Sequence, residues 1–310
     1  MHELRSSVVI CAYTEDRLQH IHAAIDSVRE QRQPAAEVIL VVDNNPALYK
    51  RLITELPDVT VMENSETPGL SGARNTGAQH ARGDVIAFLD DDATAEPDWL
   101  AALAAAYQNP DVIGVGGLIL PRWETARPAW LPEEFYWVIG CNYAGMPGSG
   151  QRIRNPFGAN MSFRRTAFEL VDGFRSDIGR TATGRPLGCE ETEFCIRLGQ
   201  RLPRSWMVME HGAVARHFVP DARCTFSYFT SRCYAEGMSK AQVAQAVGSD
   251  DGLSAERGYA TRVLPRGVVR GIADSFRGDL SGLGRAGAII VGLSVTAAGY
   301  AMGRARALRG

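Results

Sequence analysis

Val85-Ile86-Ala87-Phe88-Leu89-Asp90-Asp91-Asp92 constrains this chain more than any other stretch, because an unbroken run of strand-forming apolar residues ends abruptly in three carboxylates. A strand that is apolar at every position is buried on both faces, which places it inside a largely parallel α/β sheet. Ligands of such sheets bind beyond the carboxyl ends of the strands. Asp90 and Asp92 therefore stand where a ligand would, pointing the same way under two-residue alternation, with Asp91 on the opposite face. Three adjoining carboxylates repel one another and call for a cation, basic partners or full solvation. The plainer use of the same residues is a solvated turn that caps a helix starting near Pro97.

The surrounding pattern is β-α-β-α-β. Ser7 to Tyr13 reads as a buried first strand, Thr14 to Arg17 as a loop, and Leu18 to Gln31 as an amphipathic helix. Glu37 to Asn45 is a second apolar strand ending in polar groups; a helix follows around Ala47 to Leu56, then a short strand from Val59 to Asn64. Thr67 to Gly77 supplies a glycine-containing loop and the start of a helix running to Ala81. Such alternation predicts a parallel sheet. The first loop has neither the G-x-G-x-x-G of a dinucleotide site nor a glycine-rich basic phosphate loop, which disfavours both.

Composition sets outer bounds. The 310 residues, 45% of them hydrophobic, suffice for one large or two small cores. A formal net charge of -2 gives no argument for nucleic acid as a partner. The six cysteines (11, 141, 189, 195, 224, 233) include no CxxC pair, and Met1 to Ser7 shows no apolar leader segment, so reduced thiols in a cytoplasmic protein are expected.

Several of these stretches, taken together and in order, resemble a known family. Cys-Ala-Tyr-Thr at 11–14, Val-Val-Asp-Asn-Asn at 41–45, Gly-Ala-Arg-Asn-Thr-Gly at 72–77 and Phe-Leu-Asp-Asp-Asp at 88–92 are similar to the nucleotide-sugar half of family 2 glycosyltransferases. Gly158 to Arg165, Val171 to Phe174 and Gly188 to Leu198 resemble the acceptor-side motifs of the same family. The likeness covers about residues 7 to 238. It implies an α/β GT-A fold, with a Rossmann-like, mostly parallel central sheet flanked by helices and a C-terminal helical extension. The implied catalytic domain is 1–238, divided into a nucleotide-sugar half (1–120) and an acceptor half (121–238), and the basic extension is 239–310.

The resemblance also implies roles. Tyr13, Thr14 and Asp43 match positions that hold the base, Asp43 accepting from uracil N3–H in uridine diphosphate enzymes, and Glu15 sits beside them. Arg74 and Asn75 match the loop at the nucleotide, Asp90 the carboxylate near the ribose with Asp91 next to it, and Asp92 the ligand of a Mn²⁺ or Mg²⁺ ion bridging to the diphosphate. A hard cation with carboxylate and phosphate oxygens suits that position. The family's general base is commonly the aspartate of a Glu-Asp pair; here the pair is Glu190-Glu191, making Glu191 the expected base, one methylene longer. The ordinary alternative is that acidic residues favour a helix N-terminus. His217, in Val214 to Pro220, matches a late-strand histidine that completes the metal site in several members, with His211 as competitor. Arg232 matches a position that could meet the diphosphate.

Three stretches lie outside these roles. Pro121 to Gly150, rich in aromatic residues, is either an acceptor loop or packing over the sheet. Arg175 to Leu187 reads as a mobile loop ahead of the base, and Val247 to Arg257 as a polar connector. From Gly252 onward nine arginines face three carboxylates, and Ala286 to Gly303 carries no charge. Such helices suit peripheral contact with the inner face of a membrane, or packing on the catalytic domain or in a homodimer. The expected activity is metal-dependent, inverting transfer of a hexose-type sugar from a nucleoside diphosphate, UDP favoured, to an acceptor hydroxyl of unspecified type. A non-catalytic nucleotide-sugar-binding protein and a metal-dependent phosphoester hydrolase are the alternatives.

Overall fold

A computed structural model describes residues 4–178, 188–248 and 254–307. The described residues group into two compact units, one drawn from 1–120, 147–184 and 190–217, the other from 121–146, 185–189 and 218–310. The mobile loop expected over Arg175 to Leu187 falls mostly (179–187), and the connector expected over Val247 to Arg257 partly (249–253), outside the described residues.

The sheet begins with four parallel strands in the order β3 (Thr60–Glu63), β2 (Glu37–Val42), β1 (Ser6–Ala12), β4 (Val85–Asp90). Beyond β4 the ladder turns antiparallel at β8 (Asn160–Arg164), continues to β6 (Val112–Trp123) and β9 (Trp206–Val219), and ends at the short β5 (Ala93–Ala95), while β7 (Arg152–Ile153) also pairs with β9. The arrangement is the GT-A type of α/β fold.

Two-residue alternation divides the core. On one face Val8, Ile10, Leu40, Val85, Ala87 and Leu89 pack under helices α1 (Leu18–Arg29), α2 (Pro46–Glu55) and α4 (Trp99–Ala106). On the other, Val9, Ile39, Val41, Ile86 and Phe88 meet α3 (Leu70–His80), α5 (Thr166–Val171) and α6 (Glu190–Arg201). Helix α1 buries Ile21, Ala24, Ile25 and Val28, the i, i+3, i+4, i+7 set that makes one stripe. Asn45 starts α2, its side chain accepting from Leu48 N at 3.0 Å, with Pro46 in the first turn where its missing N–H costs nothing. Helix α4 begins at Trp99, two residues later than Pro97, whose neighbour Asp98 pairs with Arg32 at 2.6 Å.

Gly77 sets how closely α3 approaches the sheet: a Cβ there would run into Val9 Cγ1, with Val41 Cγ2 also crowded. Helix propensity alone predicts that Gly77→Ala stabilises by about 1 kcal/mol. Overpacking a filled core costs about 1–3 kcal/mol, and Gly77→Ala is expected to lower stability on that scale in a urea titration.

The second unit is mostly helical: α7 (Phe226–Val247), α8 (Ser254–Gly258), a π-helical turn (Tyr259–Val263), α9 (Leu264–Phe276) and α10 (Ser281–Ala307). Thr225 caps α7, its hydroxyl accepting from Tyr228 N at 3.2 Å. Helices α7 and α10 touch backbone to backbone, since a Cβ on Gly237 would strike Thr296 O and one on Gly299 would strike Tyr234 O. The aromatic segment packs here as well: Phe135 lies 5.3 Å from Phe229, and Trp130 lies 5.3 Å from Phe226, ring centre to ring centre.

Candidate functional site: an acidic cluster closed by two arginines and a histidine

The end of β4 distributes its carboxylates by the pleat. Asp90 continues the Ile86–Phe88 face, toward α3 and α6; Asp91 continues the face toward α1. The strand stops at Asp90, so beyond it strict alternation no longer governs. Arg17, in the 3₁₀ turn before α1, puts Nη1 2.6 Å from Asp91 Oδ1 and 3.2 Å from Asp92 Oδ2. Both carboxylates are buried, at 3% and 4% exposure. Burial pushes the Asp91 carboxyl up to about 7; Arg17 pulls it down, while Asp92 and Asp90 add to the rise.

Strand pairing completes the cluster. Antiparallel β5 and β9 set Ala93 opposite His217, which brings the imidazole to the residue following Asp92. His217 Nε2 lies 3.1 Å from Asp92 Oδ1, and one donor atom each from Asp90, Asp92 and His217 fall within 4.8 Å of one another. His217 is buried, and its Nδ1 takes no hydrogen bond among the described residues. His211 is exposed on the same strand, six residues away, about 20 Å by strand rise.

On the other face, Arg74 of α3 is 2% exposed and reaches two acids: Nη1 to Glu190 Oε1 at 2.9 Å and Nη2 to Asp90 Oδ1 at 3.3 Å. Burial works against its charge, yet Glu190 and Asp90 outweigh it and hold its pKa above the usual value. Gly158 makes room for the guanidinium, since a Cβ there would contact Arg74 Nη2. Helix α6 begins at Glu190. Its Glu193 carboxylate is forked by Arg197 at 2.6 and 2.8 Å, and Arg197 also binds the carbonyls of Val171 and Gly173. Glu191, between them, is half-buried at the same helix start. Cys11 lies under this cluster: burial above all, with Asp90, Asp91 and Asp43 adding and Arg74 opposing, drives its thiol up to about 12.

At the ends of β1 and β2, Asp43 accepts from Asn64 Nδ2 at 2.7 Å through Oδ1 and from Gly69 N at 2.9 Å through Oδ2. Asn45 Nδ2 donates to Tyr13 O at 3.1 Å, tying the two strand ends together. Tyr13 is exposed at 54%, with the Arg17 guanidinium 5.5 Å from its ring centre. The Thr14 hydroxyl accepts from Asp16 N at 3.2 Å, and Glu15 is exposed, 3.9 Å from Arg51. Asn75 binds the main chain of Phe174 through both amide atoms, each at 2.8 Å, and so fixes the Gly173 turn. Arg232 lies on α7, in the second unit.

On the α1 face Arg17 answers Asp91 and Asp92, and on the α3 face Arg74 answers Asp90 and Glu190. Two carboxylate oxygens and an imidazole nitrogen are suitable donors for Mn²⁺ or Mg²⁺, so the residues present fit such an ion. Among the described residues, this is the one group of three or more acidic, histidine or cysteine side chains arranged in that way.

The sequence model for glycosyl transferase family 2 matches residues 7–171, just over half of the chain. The chain belongs to glycosyltransferase family 2. A relative from Haloferax volcanii, named glucosyl-dolichyl phosphate glucuronosyltransferase, is 34% identical over 241 residues, covering 76% of each chain. A solved mannosyltransferase from Pyrobaculum calidifontis, bound to GDP-Man and Mn²⁺, superposes with a TM-score of 0.57 at 17% identity, over 96% of this chain and 88% of its own. GalNAc-T7, solved with UDP, GalNAc and Mn²⁺, gives a TM-score of 0.53 at 22% identity, over 69% of this chain and 43% of its own. Both confirm the GT-A fold. The family 2 assignment makes this protein a glycosyltransferase and removes the reading as a phosphoester hydrolase.

Sequence pattern does not single out Arg17, whose signal is one basic residue closing the polar turn after β1, in a chain whose β4 tip needs a counter-charge. It marks Glu190 only as the partner of Glu191. Replacing Arg74 by Met leaves Glu190 buried without its guanidinium, a loss of about 3–5 kcal/mol by the usual cost of breaking a buried pair. Glu190→Gln in the same chain is expected to recover part of that loss, read as a positive coupling in a denaturation double-mutant cycle.

Proposed function

We propose that this family 2 enzyme transfers a hexose-type sugar, with inversion, from a nucleoside diphosphate to an acceptor hydroxyl, with Mn²⁺ or Mg²⁺ as cofactor. The convergence of Asp90, Asp92 and His217 at the tip of β4, with one donor atom from each within 4.8 Å of the others, carries the reading. Asp92 and His217 would hold the ion, Asp90 lies beside the ribose, and Asp91, paired with Arg17 on the α1 face, supports the tip from behind. When bound, the ion neutralises charge on the departing diphosphate. Tyr13, Thr14, Glu15 and Asp43 receive the base; the Asp43 carboxylate keeps acceptor capacity beyond its bonds to Asn64 and Gly69. That capacity suits the uracil N3–H of UDP, the nucleotide that the resemblance at this position implies. Arg74 and Asn75 shape the nucleotide side, and Arg232 contacts the diphosphate.

Glu191 is the general base. The anchoring of its neighbours, Glu190 to Arg74 and Glu193 to Arg197, fixes the first turn of α6 and with it the direction of the Glu191 side chain. The catalytic domain is 1–238, in halves 1–120 and 121–238, with 239–310 as a basic helical extension. The acceptor is a lipid-linked saccharide, in line with the name of the Haloferax relative. The protein acts in the cytoplasm, peripherally at the inner face of the membrane; α10 is long and apolar enough to meet a bilayer.

The deciding experiment is nucleotide release from UDP-, GDP- and dTDP-sugars by the purified protein with Mn²⁺. Release from UDP-sugars, abolished by EDTA and by Asp92→Ala, supports the reading, and preference for another base overturns the UDP assignment. Glu191→Gln is expected to lower kcat about 10²–10⁴-fold while leaving donor affinity, read by titration calorimetry, unchanged. A variant that retains kcat removes Glu191 from the mechanism.

A further inference from the structure

The C-terminal hairpin carries apolar side chains that the protein itself does not cover. Twelve large apolar residues stand exposed among the described residues, and eight of them lie between 269 and 302. Val269, Ile272 and Phe276 follow an i, i+3, i+7 pattern and share one face of α9. Phe276 (89% exposed) and Leu280 (76%) stand on either side of the turn into α10, and Leu283 and Ile290 continue along it. Exposed apolar side chains grouped on one hairpin in this way mark a docking face.

Charge names the occupant. Arg285 binds both acids of the hairpin, Asp274 at 3.0 Å and Asp279 at 2.7 Å. Arg277 stands at the apolar tip, its side chain 77% exposed and 3.9 Å from Asp274, and the exposed Arg266 stands about 15 Å back along α9. Apolar side chains at the tip, with one arginine at the turn and another along α9, match the chemistry of an anionic bilayer surface: side chains enter the acyl boundary and guanidiniums meet headgroup phosphates.

The packing argues against a span. Helix α10 has the length and composition to cross a membrane, but Gly299 and Gly237 hold it against α7, and Gly282 meets Gly271 O of α9 in the same way. Helix α7 carries Arg232, Glu236 and Lys240. To cross a bilayer, α10 would have to leave these backbone contacts.

We propose that the α9–α10 hairpin is an interfacial anchor that inserts Phe276 and Leu280 into an anionic leaflet while α10 stays docked on α7. The proposal rests on the peripheral location given above and is independent of the transfer chemistry. The test is co-sedimentation of the full-length protein with phosphatidylcholine vesicles, with or without phosphatidylglycerol, followed by an alkaline carbonate wash, with light scattering in parallel. Binding is expected only to the anionic vesicles, to be released by carbonate, and to fall about fivefold per charge in Arg266→Gln/Arg277→Gln. Phe276→Ser/Leu280→Ser is expected to weaken it about a hundredfold. All four substituted side chains are exposed and distant in sequence from the site, so nucleotide release by the same preparations serves as the folding control. Carbonate-resistant pelleting would mean a spanning helix and overturn the anchor alone. No binding to either vesicle would overturn the peripheral location as well, and a dimer abolished by Phe276→Ser would identify a second copy as the occupant.

Discussion

Charge compensation at the tip of β4 is the constraint around which the rest of the first unit is built. The pleat sends Asp90 and Asp91 to opposite faces of the sheet, so no single cation serves both. Arg17 answers from the α1 face and Arg74 from the α3 face. Each guanidinium is held where its surroundings penalise an uncompensated charge, and each therefore fixes the element that carries it. Arg74 has the wider reach, because its second partner, Glu190, opens α6. One buried side chain thus sets the phase of the helix that carries Glu190, Glu191 and Glu193, and Gly158 leaves the guanidinium room by having no side chain.

The parallel half of the sheet was legible in the sequence because its signal is local. Runs of apolar residues ending in polar groups mark both a buried strand and the end at which it opens, and β1, β2 and β4 were found by that pattern alone. The place of His217 came from another source: the resemblance pointed to it, and the antiparallel ladder sets it opposite Ala93, beside Asp92. Arg17 was not legible. A lone arginine in a polar turn looks the same whether it faces water or a carboxylate far along the chain, and only the docking of α1 decides. Nor could the sequence separate Glu190 from Glu191, since neighbouring positions on a helix differ by about 100° in direction, and which one meets Arg74 depends on the helix phase that Arg74 itself sets.

The aromatic residues between Pro121 and Gly150 show how composition leaves a choice open. Rings suited to sugars are equally suited to one another, and here Trp130, Phe135, Phe226 and Phe229 form a cluster inside the second unit. The glycines of α7, α9 and α10 were similarly ambiguous. In sequence they weaken a helix; in the structure they are the points at which two helix backbones meet.

His217 reaches Asp92 only through the β5–β9 ladder, which joins segments from distant parts of the chain. Closing so long a loop carries an entropic cost that pairing of neighbouring strands does not. A cation held across Asp90, Asp92 and His217 would then act as a clasp on that closure, and its binding energy would add to the stability of the closed chain alone. Metal occupancy in such an arrangement reports whether the last strand has been laid into the sheet: a partly folded chain, with the acidic tip already formed but β9 unpaired, would offer the ion two carboxylates and no imidazole.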